Sequence, residues 1–213
     1  MKAVAILTLF LGVTSAAHAA TMVQFTGNDT GALATATASI SLGAGNNSIT
    51  GSLTNTSPND ARITGFGFDI GPGNLSGFTG SPNPIIAPAG VSFAFVDSPL
   101  GNVPQFNAAE LDFGYVTGPN FAGGSPNSGL DNGQTLQFMI SGAFSGLTEA
   151  QIASGMIVRF QRVGPNGEGS DVAVANGSPG VPTQFSSTPE PASMILLGSG
   201  LALLASRFRS VKT

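Results

Sequence analysis

Carboxylates are the side chains of the central chain best suited to catalysis. The one histidine, His18, lies in the first 19 residues, both lysines lie in the terminal segments, and cysteine is absent. Ser–His, Cys–His and lysine nucleophiles therefore cannot be assembled. Glu110 with Asp112, or Glu168 with Asp171, could supply the carboxylate pair of a glycoside hydrolase. Glu110 and Asp112 are two residues apart at a predicted strand start, so they would share a face.

A structural role explains these acids more simply. Carboxylates at an exposed strand edge, or in loops where they accept hydrogen bonds from backbone N–H groups, need no active site. The absence of tryptophan and the presence of a single tyrosine, Tyr115, leave few rings for the sugar platforms usual in carbohydrate enzymes. We therefore predict that the protein is not an enzyme and has no catalytic residues.

Two acidic loops have the composition of calcium sites, because calcium prefers oxygen ligands from carboxylates, amides and backbone carbonyls. Asp131 and Asn132 lie in one loop, and Glu168 and Asp171 lie in the other. Neither loop has the ligand spacing of an EF-hand, and ordinary turn formation accounts for both compositions. Calcium is the only cofactor that we consider.

Arg159 and Arg162 lie three residues apart on a predicted strand, so their side chains should point to opposite faces. One of them would be buried and paired with Glu168 or Asp171, which would order the loop. We expect a structural role rather than a binding role, with unfolding when either arginine is replaced by alanine.

Charge is scarce and mostly negative. Charged residues make up 8% of the 213-residue chain, against about 25% in typical globular proteins. Residues 20–188 contain three cations and ten acids, which gives a net charge of −7. Such a body repels phosphate backbones, so we expect no nucleic-acid partner. Without cysteine, its stability must come from packing and backbone hydrogen bonds.

Alternation of apolar and hydroxyl residues predicts an all-β body whose strands each bury one face. Ala34–Leu42 and Ser48–Asn55 alternate most clearly, and Gly43–Asn47 supplies residues that tolerate positive φ, as a hairpin needs. Short strands separated by Gly, Pro, Asn and Ser clusters favour an antiparallel β-sandwich with a jelly-roll-like architecture. The other strands are predicted at Met22–Thr26, Ile63–Ile70, Val91–Val96, Leu111–Val116, Leu136–Ser141, Met156–Val163 and Val172–Asn176. The phenylalanines expected to fill the space between the sheets are Phe66, Phe68, Phe93, Phe95, Phe113, Phe138 and Phe160.

One short helix is predicted at Leu147–Ile152. Thr148 and Gln151 have the capping-box pattern, and the first and last residues of the range have the spacing of a hydrophobic staple. Gly155 is placed to end the helix. At barely two turns, we expect it to connect strands.

The N-terminus has the pattern of a secretory signal peptide. Lys2 precedes the apolar stretch Ala3–Val13, and the small residues Ala17 and Ala19 form a cleavage pattern that places cleavage after Ala19. The protein should therefore be exported, with the Sec machinery as its partner in export.

The C-terminus has the pattern of a membrane anchor. Ala192–Ser206 is largely apolar over 15 residues and would span roughly 22 Å as a helix, short of the bilayer core of about 30 Å. Arg207, Arg209 and Lys212 follow it, predict a cytoplasmic C-terminus, and could snorkel so that the short helix still spans. We divide the chain into a signal peptide (1–19), a β-sandwich body (20–181), a linker (182–188) and an anchoring segment (189–213).

The anchoring segment begins with the triplet Pro189, Glu190 and Pro191. This triplet, the apolar run and the basic tail together resemble the PEP-CTERM sorting signal, over residues 189–213. The resemblance implies that exosortase, an integral membrane enzyme, processes the protein near the triplet. It also implies a Gram-negative source that makes exopolysaccharide, transient anchoring in the inner membrane, and a mature form at the cell surface or in the medium. Prolines keep the triplet extended, a form that a processing enzyme can bind as a strand.

These features favour a non-enzymatic surface or extracellular protein associated with exopolysaccharide or biofilm matrix. A carbohydrate-binding module, with or without calcium, and a carboxylate-type glycoside hydrolase are the alternatives. Hydroxyl-rich strand faces, such as that of Thr35, Thr37, Ser39 and Ser41, could hydrogen-bond glycans or carry them. The same hydroxyls would equally keep a surface of low charge soluble.

Overall fold

The computed structural model describes residues 20–27, 30–70, 85–97, 102–103, 106–175 and 186–187. These residues lie in one compact unit, Ala19–Pro189. The predicted signal peptide, the Pro-Glu-Pro triplet and the predicted membrane helix lie outside the described residues and stay predictions. Within the described ranges, no helix has the length and the hydropathy needed to cross a membrane.

Antiparallel strands dominate the described fold, as the alternation predicts. In chain order they are β1 (Thr21–Gly27), β2 (Ala34–Leu42), β3 (Ser48–Asn55), β4 (Arg62–Phe68), β5 (Ile85–Ile86), β6 (Ala94–Val96), β7 (Asn102–Val103), β8 (Phe106–Glu110), β9 (Phe113–Val116), β10 (Thr135–Ser141), β11 (Met156–Val163), β12 (Gly169–Val174) and β13 (Ser186–Ser187). A six-stranded sheet has the order β13-β1-β2-β3-β10-β5, and a five-stranded sheet has the order β12-β11-β4-β9-β6. Strands β7 and β8 form a separate ribbon.

Alternation between buried and exposed side chains sets the register of the six-stranded sheet. The predicted bounds of β2, β3 and β11 match the observed ones, and burial alternates residue by residue in β1, β2 and most of β10. The turn between β2 and β3 contains Gly45 with φ 74° and Asn46 with φ 54°. The expectation that this hairpin needs residues tolerant of positive φ is therefore confirmed.

Aromatic rings fill the space between the two sheets. Phe66 of β4 lies 5.1 Å from Phe138 of β10, measured between ring centroids, and 5.0 Å from Tyr115 of β9. The hydroxyl of Tyr115 donates a hydrogen bond to the backbone oxygen of Met139 across the sheets, at 2.9 Å. All seven predicted phenylalanines belong to this core, with Phe93 and Phe95 only partly buried at its margin.

A second apolar cluster, here called the outer cluster, covers the other face of the five-stranded sheet. In β11, Val158 and Phe160 face the main core, so Ile157 and Arg159 face this cluster. Phe121 reaches it from the loop after β9. Its buried members are Val103, Leu111, Val116, Phe121, Ile157 and Val172. Sequence periodicity does not indicate this cluster, because loop residues contribute to it without a regular spacing.

The predicted helix is confirmed as α1, Glu149–Ser154. Thr148 is its N-cap, the capping box with Gln151 is formed, and Gly155 is its C-cap. Glu149 also accepts a hydrogen bond from the backbone N–H of Leu42 at 2.8 Å. The helix therefore caps the last residue of strand β2 and also connects β10 to β11.

Several strand boundaries differ from the predictions. The strand predicted at Leu111–Val116 begins at Phe113, because Leu111 is buried in the outer cluster and precedes a bend. Strands β5, β7, β8 and β13 were not predicted, since they are short or lack alternation. Strand β13 lies within the predicted linker and pairs with Thr21 and Met22.

Candidate functional site

The acidic pair proposed at Glu110 and Asp112 is not on one strand. Glu110 ends β8, and Asp112 lies in the bend before β9, so the expectation of a shared strand face is wrong. One Asp112 carboxylate oxygen accepts a hydrogen bond from the backbone N–H of Ile70 at 2.9 Å. Asp112 thus has the alternative role considered for it, a loop carboxylate that caps a backbone N–H. The side chain of Glu110 lies outside the described residues.

The second acidic pair is divided between surface and interior. Glu168 is exposed, whereas Asp171 is fully buried. Asp171 lies opposite Phe160 in the register of β11 and β12, so it faces the main core. Its carboxylate accepts hydrogen bonds from the backbone N–H and the hydroxyl of Thr30, at 3.0 and 3.4 Å. These contacts tie the segment after β1 to β12, which is a structural task.

The predicted calcium loop at Asp131 and Asn132 is an internally bonded turn. One Asp131 oxygen forms an ion pair with Arg62 at 2.8 Å, and the other accepts from the backbone N–H of Asn132 at 3.0 Å. Gln134 accepts from the backbone N–H of Asp131 at 2.8 Å, and Gly133 has φ 74°. Among the described residues, no group of three or more acidic, histidine or cysteine side chains is arranged to hold a metal.

One of the two predicted arginines is buried, but their partners differ from the prediction. Arg159 is 6% exposed, and its Nη1 donates to the backbone oxygen of Phe121 at 2.7 Å. When the Gln161 amide is oriented so that both its nitrogen and its oxygen have hydrogen-bond partners, the Gln161 oxygen accepts a hydrogen bond from Nη2 of Arg159 at 3.2 Å. Burial lowers the pKa of the Arg159 guanidinium below its usual value. Arg162, at a β-bulge with φ 59°, pairs with Asp60 at 3.5 Å.

The expected pairing of an arginine with Glu168 or Asp171 is therefore wrong for the described contacts. Arg159 is cross-strand from Val172, whereas Asp171 is cross-strand from Phe160, so the two charges lie on opposite faces of the sheet. The Nε atom of Arg159 is buried without a hydrogen-bond partner. Packing in the outer cluster, rather than an ion pair, accounts for its burial.

The outward-facing side chains of the six-stranded sheet form an uncharged surface, here called the hydroxyl face. The cross-strand register places Met22, Ser39, Ser52, Gln137 and Ile86 in one row across five strands. Among the described side chains on this face, eleven of sixteen carry hydroxyls and none is ionisable. The sixteen are Met22, Gln24, Thr26, Thr35, Thr37, Ser39, Ser41, Ser48, Thr50, Ser52, Thr54, Ile86, Thr135, Gln137, Met139 and Ser141.

Neighbouring hydroxyls on this face bond to one another across the strands. Ser39 and Ser52 lie 2.8 Å apart, measured between their hydroxyl oxygens, and the hydroxyls of Thr54 and Thr135 lie at the same distance. Such pairs hold the side chains in fixed rotamers and leave lone pairs facing solvent. The face can therefore exchange hydrogen bonds with a polar neutral partner without first desolvating a charge.

A shallow depression interrupts the hydroxyl face over β3, β10 and β5. Its volume is about 300 Å³, and it is lined by Thr50, Gly51, Ile86, Gln137, Phe138 and Met139. Ile86 is 69% exposed and Met139 is 37% exposed, both large values for apolar side chains. The alternation in β2 and β3 predicts the hydroxyls of the face. It does not predict the depression, because Ile86 belongs to a two-residue strand that is too short to show alternation.

Comparison with known families gives one match. Residues 187–210 match the PEP-CTERM protein-sorting motif. The match includes Pro189, Glu190 and Pro191, the apolar run, and the basic residues Arg207 and Arg209. No curated protein and no solved structure matches the chain. The chain therefore carries a PEP-CTERM sorting motif, which supports an exosortase-sorted surface protein.

Proposed function

We propose that the body is a non-enzymatic module that associates with extracellular polysaccharide through the hydroxyl face. The observation that carries this proposal is a five-strand-wide surface with eleven hydroxyls and no charge. Polysaccharide hydroxyls are donors and acceptors, and serine and threonine hydroxyls match both roles. Binding of this kind needs neither a metal nor a catalytic group.

The positions of the acids support a non-enzymatic role. Asp112 and Asp171 bond to Ile70 and Thr30, and Asp131 is paired with Arg62. Each of these three carboxylates thus has a local structural partner. A glycoside hydrolase would need two carboxyl groups on opposite sides of a sugar-binding cleft.

The sorting signal supplies the cellular context of the proposal. The PEP-CTERM motif implies export, membrane anchoring and processing by exosortase. We propose that the inner membrane holds the chain only until this processing, and that the mature form enters the exopolysaccharide or biofilm matrix of a Gram-negative cell. Deleting residues 189–213 should remove both membrane retention and processing. The masses of the wild-type protein recovered from cells and from medium would show where it is cut. An unchanged distribution of the deletion variant between cells and medium would contradict the proposal.

Matrix association is tested by placing charge on the hydroxyl face. The double variant Thr37→Glu and Ser52→Glu adds two carboxylates at the centre of the face. The control variant Asn59→Glu and Asn166→Glu adds the same charge at exposed loop positions. We expect the first variant, but not the control, to stop co-sedimenting with polysaccharide purified from the producing culture. Equal co-sedimentation of wild type and both variants would refute a role for this face.

A carbohydrate-binding module with a defined saccharide site is the second candidate, and the depression on the hydroxyl face favours it. Exposed apolar side chains beside hydrogen-bonding groups are the usual lining of a small-ligand site. This candidate needs no calcium, because no acid lines the depression.

A further inference from the structure

We infer that the depression lined by Thr50, Ile86, Gln137 and Met139 is a binding subsite for a neutral saccharide. The inference rests on the proposed function and narrows it, because it names one part of the hydroxyl face and one class of glycan. Its volume of about 300 Å³ is at the lower end of the roughly 300–1,000 Å³ typical of ligand pockets. That size suits a short segment of a polymer chain.

The lining has the two components that a pyranose ring requires. Ile86 and Met139 present apolar surface against which the C–H groups of a sugar ring can pack. Gln137 lies between them in the register, since it pairs with Ile86 on β5 and precedes Met139 by two positions on β10. Its amide offers two donors and one acceptor, and the Thr50 hydroxyl offers one donor and two lone pairs.

These polar groups are available to a ligand. The Thr50 and Gln137 side chains make no hydrogen bond to another described residue, unlike Ser52 and Thr54 on the same face. In the free protein these groups would bond to solvent water, and sugar hydroxyls can replace that water with little change in hydrogen bonding. The apolar contact with Ile86 and Met139 then supplies the net gain.

Contacts beneath the depression fix the strand that forms its floor. Gly51 allows the Phe138 ring to pack beneath β3, because a Cβ atom at Gly51 would lie 2.6 Å from Cζ of Phe138. The backbone oxygen of Met139 accepts the hydrogen bond from the buried Tyr115 hydroxyl. Both contacts fix strand β10, so the side chains that line the depression are positioned before a ligand arrives.

The charges of the body favour a neutral glycan over an acidic one. Its three cations are Arg62, Arg159 and Arg162, against ten acids. Arg62 and Arg162 pair with Asp131 and Asp60, and Arg159 is buried. A uronate or sulfate group would meet no unpaired cation and a negative overall field.

The test uses the mature protein with dextran, galactomannan and a soluble β-glucan as neutral probes, and with alginate as the acidic probe. Gln137→Glu and Ile86→Ser alter the depression. Asn166→Glu adds a carboxylate and Leu33→Ser removes an apolar side chain, both at exposed positions outside the hydroxyl face, and these two variants serve as controls. We expect measurable affinity for at least one neutral probe, weakened about tenfold by each depression variant and by less than about twofold by each control. Alginate should bind more weakly than that probe.

Three outcomes would overturn the inference. Neutral binding that survives both depression variants but is lost in the Thr37→Glu and Ser52→Glu variant would leave the proposed function standing and place the site elsewhere. Binding lost in Ile86→Ser but kept in Gln137→Glu would mean that apolar contact alone holds the sugar, which would overturn the hydrogen-bonding role inferred for Gln137. If no neutral probe binds while native polysaccharide still co-sediments, only the inferred ligand class fails.

Discussion

The folded body should lose stability at alkaline pH through the titration of one group, the phenol of Tyr115. The residue is 1% exposed, and its hydroxyl donates to the backbone oxygen of Met139. Burial raises the pKa of the Tyr115 phenol well above its usual value of about 10. Residues 20–188 contain no lysine, no cysteine and no second tyrosine. Tyr115 is therefore the one side chain of the body whose ordinary pKa lies between about 9 and 12.

Linkage fixes the sign and the size of the effect. Because folding raises this pKa, the unfolded chain releases the phenolic proton at lower pH than the folded chain. The contribution of the protonated Tyr115 phenol to the free energy of unfolding is thus complete below about pH 10. It is lost as the pH rises towards the pKa of this phenol in the folded state. While the folded phenol stays protonated, the free energy of unfolding falls by about 1.4 kcal/mol per pH unit above pH 10. The loss reaches about 3 kcal/mol at pH 12 relative to neutral pH.

Urea unfolding followed by circular dichroism between pH 8 and pH 12 measures this loss. The control variant Tyr115→Phe lacks both the titrating group and the hydrogen bond to Met139. It should start about 1 kcal/mol less stable than the wild type and keep that stability up to about pH 12. Equal slopes for the two proteins would refute the reasoning. So would tyrosinate absorbance that develops near pH 10 while the protein is still folded.

Three further predictions concern buried polar groups and the acidic turn. Asn55→Ala leaves the backbone carbonyl of Ala61 and the backbone N–H of Ser57 buried without a partner, and the carbonyl of Leu130 keeps only its bond from Ile63. At about 1–3 kcal/mol for each of the two orphaned groups, the free energy of unfolding should fall by about 2–6 kcal/mol, and a loss below about 1 kcal/mol in urea would contradict this account. Arg159→Ala should cost about 3–5 kcal/mol through a cavity and the orphaned carbonyl of Phe121. Arg159→Met keeps the packing and removes the buried charge, so its free energy of unfolding should stay within about 1 kcal/mol of the wild-type value. Equal losses in the alanine and methionine variants would mean that the hydrogen bonds of Arg159 dominate its contribution. Calcium should change the melting temperature by less than about 1 °C relative to EDTA, because both oxygens of Asp131 are engaged, and a rise of several degrees would count against that reading.

Strong local patterns predicted the parts of the fold that local chemistry determines. Strand β2 alternates strictly between apolar and hydroxyl residues, so its bounds and its buried face follow from the two-residue period. Helix α1 is short, but Thr148 and Gln151 specify its start by a hydrogen-bonded motif that needs no tertiary context. The hydroxyls of the face were predictable for the same reason, since one set of alternate positions must face outward.

Features that depend on tertiary contacts were not predictable. Phe121 lies in a loop rich in glycine, and only the assembled sheet turns that loop into a cover for the outer cluster. The partner of Arg159 is a backbone carbonyl, which carries no sequence signal. Ile86 joins the depression because a two-residue strand pairs with Gln137 at the sheet edge, and pairing over so short a length leaves no periodicity.

The small size of the depression bears on how a protein of this kind could hold a polymer. Two hydrogen-bonding side chains and two apolar ones can supply only about 4 kcal/mol, which corresponds to a dissociation constant near 1 mM. A polysaccharide repeats its binding unit, however, and on the proposed function many copies of the protein would share one surface. Under those conditions each bound unit raises the effective concentration of the next, and avidity can exceed the single-site affinity by about 10²–10⁴. Weak individual subsites are therefore compatible with firm attachment to a matrix, provided that several copies engage the same chain. Monomeric protein in solution should then bind short oligosaccharides weakly, and its affinity for each sugar unit of a long polymer should be no higher. The same protein at high density on beads should retain only the polymers. Equal retention of oligosaccharide and polymer on those beads would contradict this argument.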